Sequence, residues 1–220
     1  MNLSEKYRPK TFDQVVGQDK AVKVLKSIAN RADNPEYPFG GHAIYITGKS
    51  GTGKSTIGKI IASTMATSFT TTTTTGRELS QKMLYDLRDK WQGPAFIEKP
   101  DGWALIIEEA HGLSAPVTEI LLNLMEPVKP WVVMIFTTTA DTDDMLGDSQ
   151  VYTKPFLSRC IRLKLSQRDL CPDFARRAKE IAEIEGLDGK PISSYVELVK
   201  QSGNNLRMVL SQIESGYMLD

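Results

Sequence analysis

Ala43-Ile44-Tyr45-Ile46-Thr47 runs straight into Gly48-Lys49-Ser50-Gly51-Thr52-Gly53-Lys54-Ser55-Thr56. The first five residues are apolar and partly β-branched, the pattern of a strand buried on both faces of a parallel sheet. The rest satisfies G-x-x-x-x-G-K-[ST] in full and leads into helical spacing from Lys54 to Met65. Glycines let such a loop turn its N–H groups inward, and the following helix adds positive potential at its N-terminus. Strand, loop and helix together therefore predict an anion cradle sized for a nucleoside triphosphate. In that cradle Lys54 reaches the β- and γ-phosphates and Ser55 ligates Mg²⁺ through its hydroxyl. Gly48, Lys49, Ser50, Gly51, Thr52, Gly53 and Thr56 complete the expected nucleotide contacts, Lys49 and Thr52 being the side chains that solvent competes for.

Outward from this unit, Trp103–Ile107 and Val132–Thr137 read as further buried strands. Asp19–Ala32, Arg77–Trp91 and Ser114–Met125 read as helices between them. The six threonines Thr70–Thr75 suit either a linker or an extended strand at a sheet edge; their β-branching favours the strand. Strands alternating with helices predict an α/β fold with a parallel sheet flanked by helices. From Ser166 the pattern changes to helices alone, at about Asp169–Glu185, Ser193–Gln201 and Asn205–Ser215. Hence the expected division is a nucleotide-binding α/β domain over 1–165 and a small all-helical lid over 166–220. Residues 1–18 read as a polar lead-in, with Pro9 preventing a helix from running through Tyr7 and Arg8.

Lys+Arg and Asp+Glu both total 27, so the chain lacks the basic excess of a protein that coats nucleic acid by itself. Two cysteines, Cys160 and Cys171, are too few for a cysteine-based zinc site. The N-terminus has no apolar run after its charges, and no 18-residue apolar segment occurs, so a cytoplasmic protein without a membrane partner is expected.

Ala104-Leu105-Ile106-Ile107-Glu108-Glu109 ends a strand with two acids. Beside a phosphate loop, the first is expected to hold Mg²⁺, commonly through water, and the second to polarise the attacking water as general base. Glu108 stands where such sites usually have aspartate, one methylene shorter. Thr137-Thr138-Thr139 places hydroxyls at the next strand end; Thr139 is the choice for touching the γ-phosphate or its water, with Thr138 close behind. His111 is read as a satisfied or solvent-facing histidine without assigned chemistry.

These residues are specific enough to carry a resemblance: the chain resembles the AAA+ ATPase subunits of DNA polymerase sliding-clamp loaders. Ser4-Glu5-Lys6-Tyr7-Arg8-Pro9 and Val16-Gly17-Gln18 look like that family's N-terminal segments, and Glu108–Ser114 is similar to its D-E-x-H-x-L-S stretch. Ser158-Arg159-Cys160 looks like its S-R-C motif, and Gly203-Asn204-Asn205-Leu206-Arg207 like its sensor-2 motif. The resemblance implies ATP and Mg as cofactors, with Ser4, Arg8, Val16 and Arg207 bordering the nucleotide. It makes Arg159 an arginine finger acting in trans on a neighbour's ATP, a role that suits a permanently charged, forked guanidinium. Implied partners are other clamp-loader subunits in a pentamer-like oligomer, a sliding clamp and primer-template DNA. Arg77 and Lys82 are the candidates for DNA backbone contacts, weighed against plain solvation. The family's C-terminal collar domain is not seen before Asp220, which the resemblance reads as a compact or phage-borne relative, or as a chain missing its collar.

Two rivals stay open. A branch-migration helicase subunit shares an R-P-K-T-F lead-in of this kind, against which Ser158-Arg159-Cys160 argues. A nucleotide-dependent scaffold with weak hydrolysis is the other, suggested by Glu108.

Overall fold

The computed structural model describes residues 2–96, 98–139, 150–166 and 170–219. Its described residues place five strands in one sheet: β1 (His42–Thr47), β2 (Thr71–Thr75), β3 (Trp103–Glu108), β4 (Val132–Thr138) and β5 (Cys160–Lys164). All pair in parallel, in the order β2-β3-β4-β1-β5. The two faces of the sheet bury alternate residues of the same strands. Tyr45, Leu105, Ile107, Met134 and Phe136 enter one cluster; Ile44, Ile46, Ala104, Ile106 and Ile135 enter the other. That double burial is why the central strands read as unbroken apolar runs.

On the first face lie α4 (Gln81–Lys90), α5 (Ala115–Leu124) and α6 (Gln150–Ser158). Phe156 seats α6 there, edge-on to Phe136 at 4.8 Å between ring centres. The second face is covered by α2 (Asp19–Ala29) and α3 (Lys54–Ser63), through Leu25, Ile57 and Ile61. The threonine run is a strand: β2 pairs with β3 from Thr71 opposite Ala104 to Thr75 opposite Glu108. Among the described residues only one of its edges is paired, so small β-branched hydroxyl side chains meet both strand geometry and partial solvent exposure.

Several expectations shift. The helix expected from Arg77 begins only at Gln81, because Ser80 caps it by accepting from the Met83 amide at 3.2 Å. Gly76 and Arg77 instead turn at the end of β2, and the Gly76 amide donates to the Glu108 carbonyl at 2.8 Å. Sequence reading also missed α6 and β5. The polar lead-in contains a short helix, α1 (Leu3–Lys6), capped by Asn2.

The helical C-terminal part comprises α7 (Cys171–Glu185), α8 (Ile192–Gln201) and α9 (Leu206–Glu214). Their inward faces form a third cluster that includes Phe174, Ile181, Tyr195, Leu198, Val209 and Ile213. Leu3, only 5 % exposed, belongs to this cluster. Lys6 reinforces the contact through an ion pair with Glu185 at 2.6 Å. Among the described residues no helix is long and apolar enough to cross a membrane.

Candidate functional site

A parallel sheet gathers the C-terminal ends of its strands on one side, and the phosphate loop follows β1 there. Because β4 lies between β1 and β3, its terminal threonines stand between the loop and the acidic strand end: Thr47 is level with Thr138, and Ile107 with Phe136. Left-handed glycines shape the loop, with φ of 78° at Gly51 and 99° at Gly53, which directly precedes α3. The Thr52 hydroxyl braces it by donating to the Lys49 carbonyl at 2.8 Å. Lys54 folds back over the loop, its Nζ donating to the carbonyls of Gly48 at 2.7 Å and Lys49 at 2.9 Å. Burial holds the Lys54 ammonium below the ordinary lysine range; Glu109 and Glu108 oppose that shift, while Arg207 adds to it.

A polar cleft along this loop is lined by Ser50, Lys54, Ser55, Glu108, Glu109, Thr137 and Thr139. Cations enter it from three further elements: Arg8 from the N-terminal segment, Lys59 from α3 and Arg207 from α9. Arg8, Gly51, Gly53, Thr56 and Arg207 also border a second, more apolar cleft with Ser4, Tyr7, Val15, Val16, Thr52 and Phe174. One half is polar and lined by cations and the other is more apolar, the combination small-molecule sites commonly show. Mg²⁺ fits the donors present, since Ser55 and Glu108 offer hard oxygens and the open cleft leaves room for its waters.

Most of the expected residues come together here. Gly48 and Lys49 contribute carbonyls to the brace of the loop, while the Lys49 side chain is exposed. Arg8 is held by Glu5 and donates to Thr56 Oγ1 at 3.1 Å, so it ties the N-terminal segment to the first turn of α3. Glu109 is left-handed, with φ 51°, and its Oε2 accepts from Thr139 Oγ1 at 3.4 Å. Thr138, fully buried, instead sits 3.0 Å from His111 Nδ1.

Arg159 is not in this cleft. It joins α6 to β5, and Cys160 is level with Ala43, at the start of β1. From Ala43 to the loop end at Thr47 is four strand steps, about 13 Å. The guanidinium is turned onto Glu126, just past α5, with Nε to Oε2 at 2.8 Å, and onto the Pro155 carbonyl at 3.0 Å. Arg77 and Lys82 are exposed beyond β2, and neither lines the two clefts. Arg88, on α4, pairs with Asp89 at 3.1 Å.

One residue the site depends on was missed. Gln18 is 3 % exposed, and its amide donates to the carbonyls of Thr52 at 3.3 Å and Ser166 at 2.8 Å. Its Oε1 accepts from the Ser166 amide at 3.0 Å. The phosphate loop, the N-terminal segment and the entrance to the helical part are thereby locked through one side chain. The only sequence signal was its place in Val16-Gly17-Gln18.

Known proteins place this architecture among the AAA+ P-loop ATPases. The chain is similar to replication factor C small subunit of Thermoplasma acidophilum, 24% identical, covering 97% of this chain and 63% of that protein. It is also similar to DNA polymerase III subunit gamma/tau of Mycoplasma genitalium, 28% identical over 61% of this chain and 25% of the relative. Among solved structures, the Thermotoga maritima RuvB Holliday junction branch migration motor superposes with a TM-score of 0.71 at 22% identity, over 94% of this chain and 64% of that one. In each case this chain spans less than two thirds of the relative's length. Residues 7–145 match the model of the Holliday junction DNA helicase RuvB P-loop domain, and the chain belongs to that family.

Proposed function

We propose that this chain is the ATP-hydrolysing subunit of a clamp-loader-type assembly, in which ATP held by one protomer is completed by Arg159 of the next. The observation that carries this reading is the position of Arg159, at the end of the sheet away from its own phosphate loop yet in the Ser158-Arg159-Cys160 context. An arginine so placed serves a neighbour's triphosphate. Residues 1–165 are read as the nucleotide-binding part and 166–220 as the lid.

In this reading the loop amides and Lys54 bind the β- and γ-phosphates, and Ser55 and Glu108 hold the metal. Bound Mg²⁺ supplies neutralisation of phosphate charge. Glu109 orients the attacking water and accepts its proton, Thr139 steadies the Glu109 carboxylate, and Arg207 reports the phosphates to the helical part. Oligomer closure around bound ATP would grip a sliding clamp and primer-template DNA, with Arg77 and Lys82 as backbone contacts, and hydrolysis would release the grip.

A branch-migration motor is the second reading, favoured by the family of residues 7–145. The two differ in which DNA stimulates turnover. Steady-state ATPase is to be measured with primed DNA plus a sliding clamp, and separately with a four-way junction. Clamp-dependent stimulation on primed DNA is expected; stimulation by the junction alone would move the chain to the second reading.

A further inference from the structure

His111 has a position that neither its exposure nor its sequence context foretells. The left-handed backbone of Glu109 starts the short 3-10 turn Ala110–Gly112, which brings the imidazole back toward the carboxylate two residues earlier. His111 Nδ1 lies 3.4 Å from Glu109 Oε2 and 3.0 Å from Thr138 Oγ1, the latter buried at the end of β4. The same Oε2 faces Thr139 Oγ1 at 3.4 Å. An ionised carboxylate only accepts hydrogen bonds, whereas a threonine hydroxyl both donates and accepts. Nδ1 is hydrogen-bonded to Thr138, and within reach of the Glu109 carboxylate a protonated Nδ1 presents positive partial charge to it where an unprotonated one presents its lone pair.

We propose that His111 is a positioning residue for Glu109: it carries a proton on Nδ1, is anchored to β4 through Thr138, and confines the Glu109 carboxylate from within ion-pair distance. The inference rests on reading Glu109 as the group that orients the attacking water. Its consequence is specific. Without His111 the carboxylate loses part of its orientation, and a displacement of about 1 Å at a catalytic group costs up to about a hundredfold in rate. Nucleotide contacts, made by the loop, Arg8 and Arg207, are left as they were.

The test uses the full chain in its ATP-hydrolysing assembly, with His111→Ala, His111→Asn, Glu109→Gln and the Glu109→Gln/His111→Ala double variant. His111→Ala is expected to lower kcat about 10- to 100-fold while KM and Mg-ATP affinity stay within about twofold. His111→Asn, whose amide nitrogen can donate from nearly the place of Nδ1, is expected to recover most of the rate. The double variant should be no slower than Glu109→Gln. A Glu109→Gln protein that hydrolyses normally would overturn the reading of Glu109 and the inference with it. A slow Glu109→Gln beside a fully active His111→Ala, or losses that add in the double variant, would overturn the inference alone. Should His111→Ala not fold, ¹⁵N NMR of the unaltered protein decides. With His42 as the second of two histidines, His42→Asn assigns the signals. A His111 ring protonated on Nδ1 and perturbed by Glu109→Gln is expected, and an unprotonated Nδ1 would sink the proposal.

Discussion

Gly51 is constrained twice, once by its own backbone and once by a residue more than 150 positions away. Its φ of 78° is the left-handed region, and a Cβ built there would stand 2.1 Å from Asn205 Oδ1. Asn205 is not free to retreat, because that oxygen caps α9 by accepting from the Met208 amide at 3.3 Å. Gly51→Ala should therefore strain the loop and push the α9 cap aside together, destabilising the protein by roughly 1–3 kcal/mol in urea unfolding. Weakened Mg-ATP binding should accompany it, since Arg207 follows on the same helix. Lys54 gives a pH prediction. Burial depresses its pKa, so the ammonium loses its proton at lower pH than an ordinary lysine, while phosphate binding favours the protonated form. Affinity for Mg-ATP should fall as pH rises through the depressed value, by at most about tenfold per pH unit. Calorimetry in buffers of different ionisation heat should show proton uptake on binding around that value; affinity that climbs with pH would contradict it. The glycines and Lys54 were legible because their reasons are local. The second constraint on Gly51, and the contacts of His111, depend on partners that only the fold brings near.

Elements fared according to how they are buried. β1, β3 and β4 sit in the middle of the sheet, covered on both faces, and their sequences announce it. β5 is an edge strand whose Arg162 and Lys164 face solvent, so Cys160–Lys164 carries too little apolar signal to be told from a loop. Its neighbour α6 has Pro155 inside it and is held chiefly by Phe156. The four residues of α1 have one buried side chain, Leu3, and its partners lie in the C-terminal helices. Gln18 is the hydrogen-bonded bolt among these elements. Gln18→Ala would leave the Thr52 carbonyl and both backbone groups of Ser166 without that partner, at about 1–3 kcal/mol for each buried group that water does not reach. Chemical denaturation should show a loss of at least about 1 kcal/mol. Mg-ATP affinity should drop with it, because the loop loses its tie to the segment carrying Arg8 and to the helical part. Gln18→Glu tests the same geometry: it keeps the acceptor facing the Ser166 amide but cannot donate to the two carbonyls, and should be as damaging as alanine.

At the scale of the whole molecule, the proposed use of Arg159 calls for a second protomer. The cleft draws cations from the N-terminal segment, α3 and α9, whereas Arg159 sits across the length of the sheet and is engaged with Glu126. No side-chain rotation carries it about 13 Å and more along the strands to its own γ-phosphate. Reaching a neighbour requires only that protomers pack with the Arg159 end of one against the open cleft of the next, and that phosphate oxygens outcompete the Glu126 carboxylate for the guanidinium. Mixing two disabled chains separates the geometries. Arg159→Ala retains a complete loop but offers no finger, and Lys54→Ala offers a finger but binds ATP poorly. Each alone should hydrolyse ATP slower than the unaltered chain by about a thousandfold. Action in trans predicts that mixed assemblies regain activity, because an Arg159→Ala site then meets the intact Arg159 of a Lys54→Ala neighbour. The recovered rate should track the fraction of such junctions as the mixing ratio is varied, with a maximum near equal proportions. Action in cis predicts no recovery at any ratio, since every chain would still lack one of the two groups its own site needs.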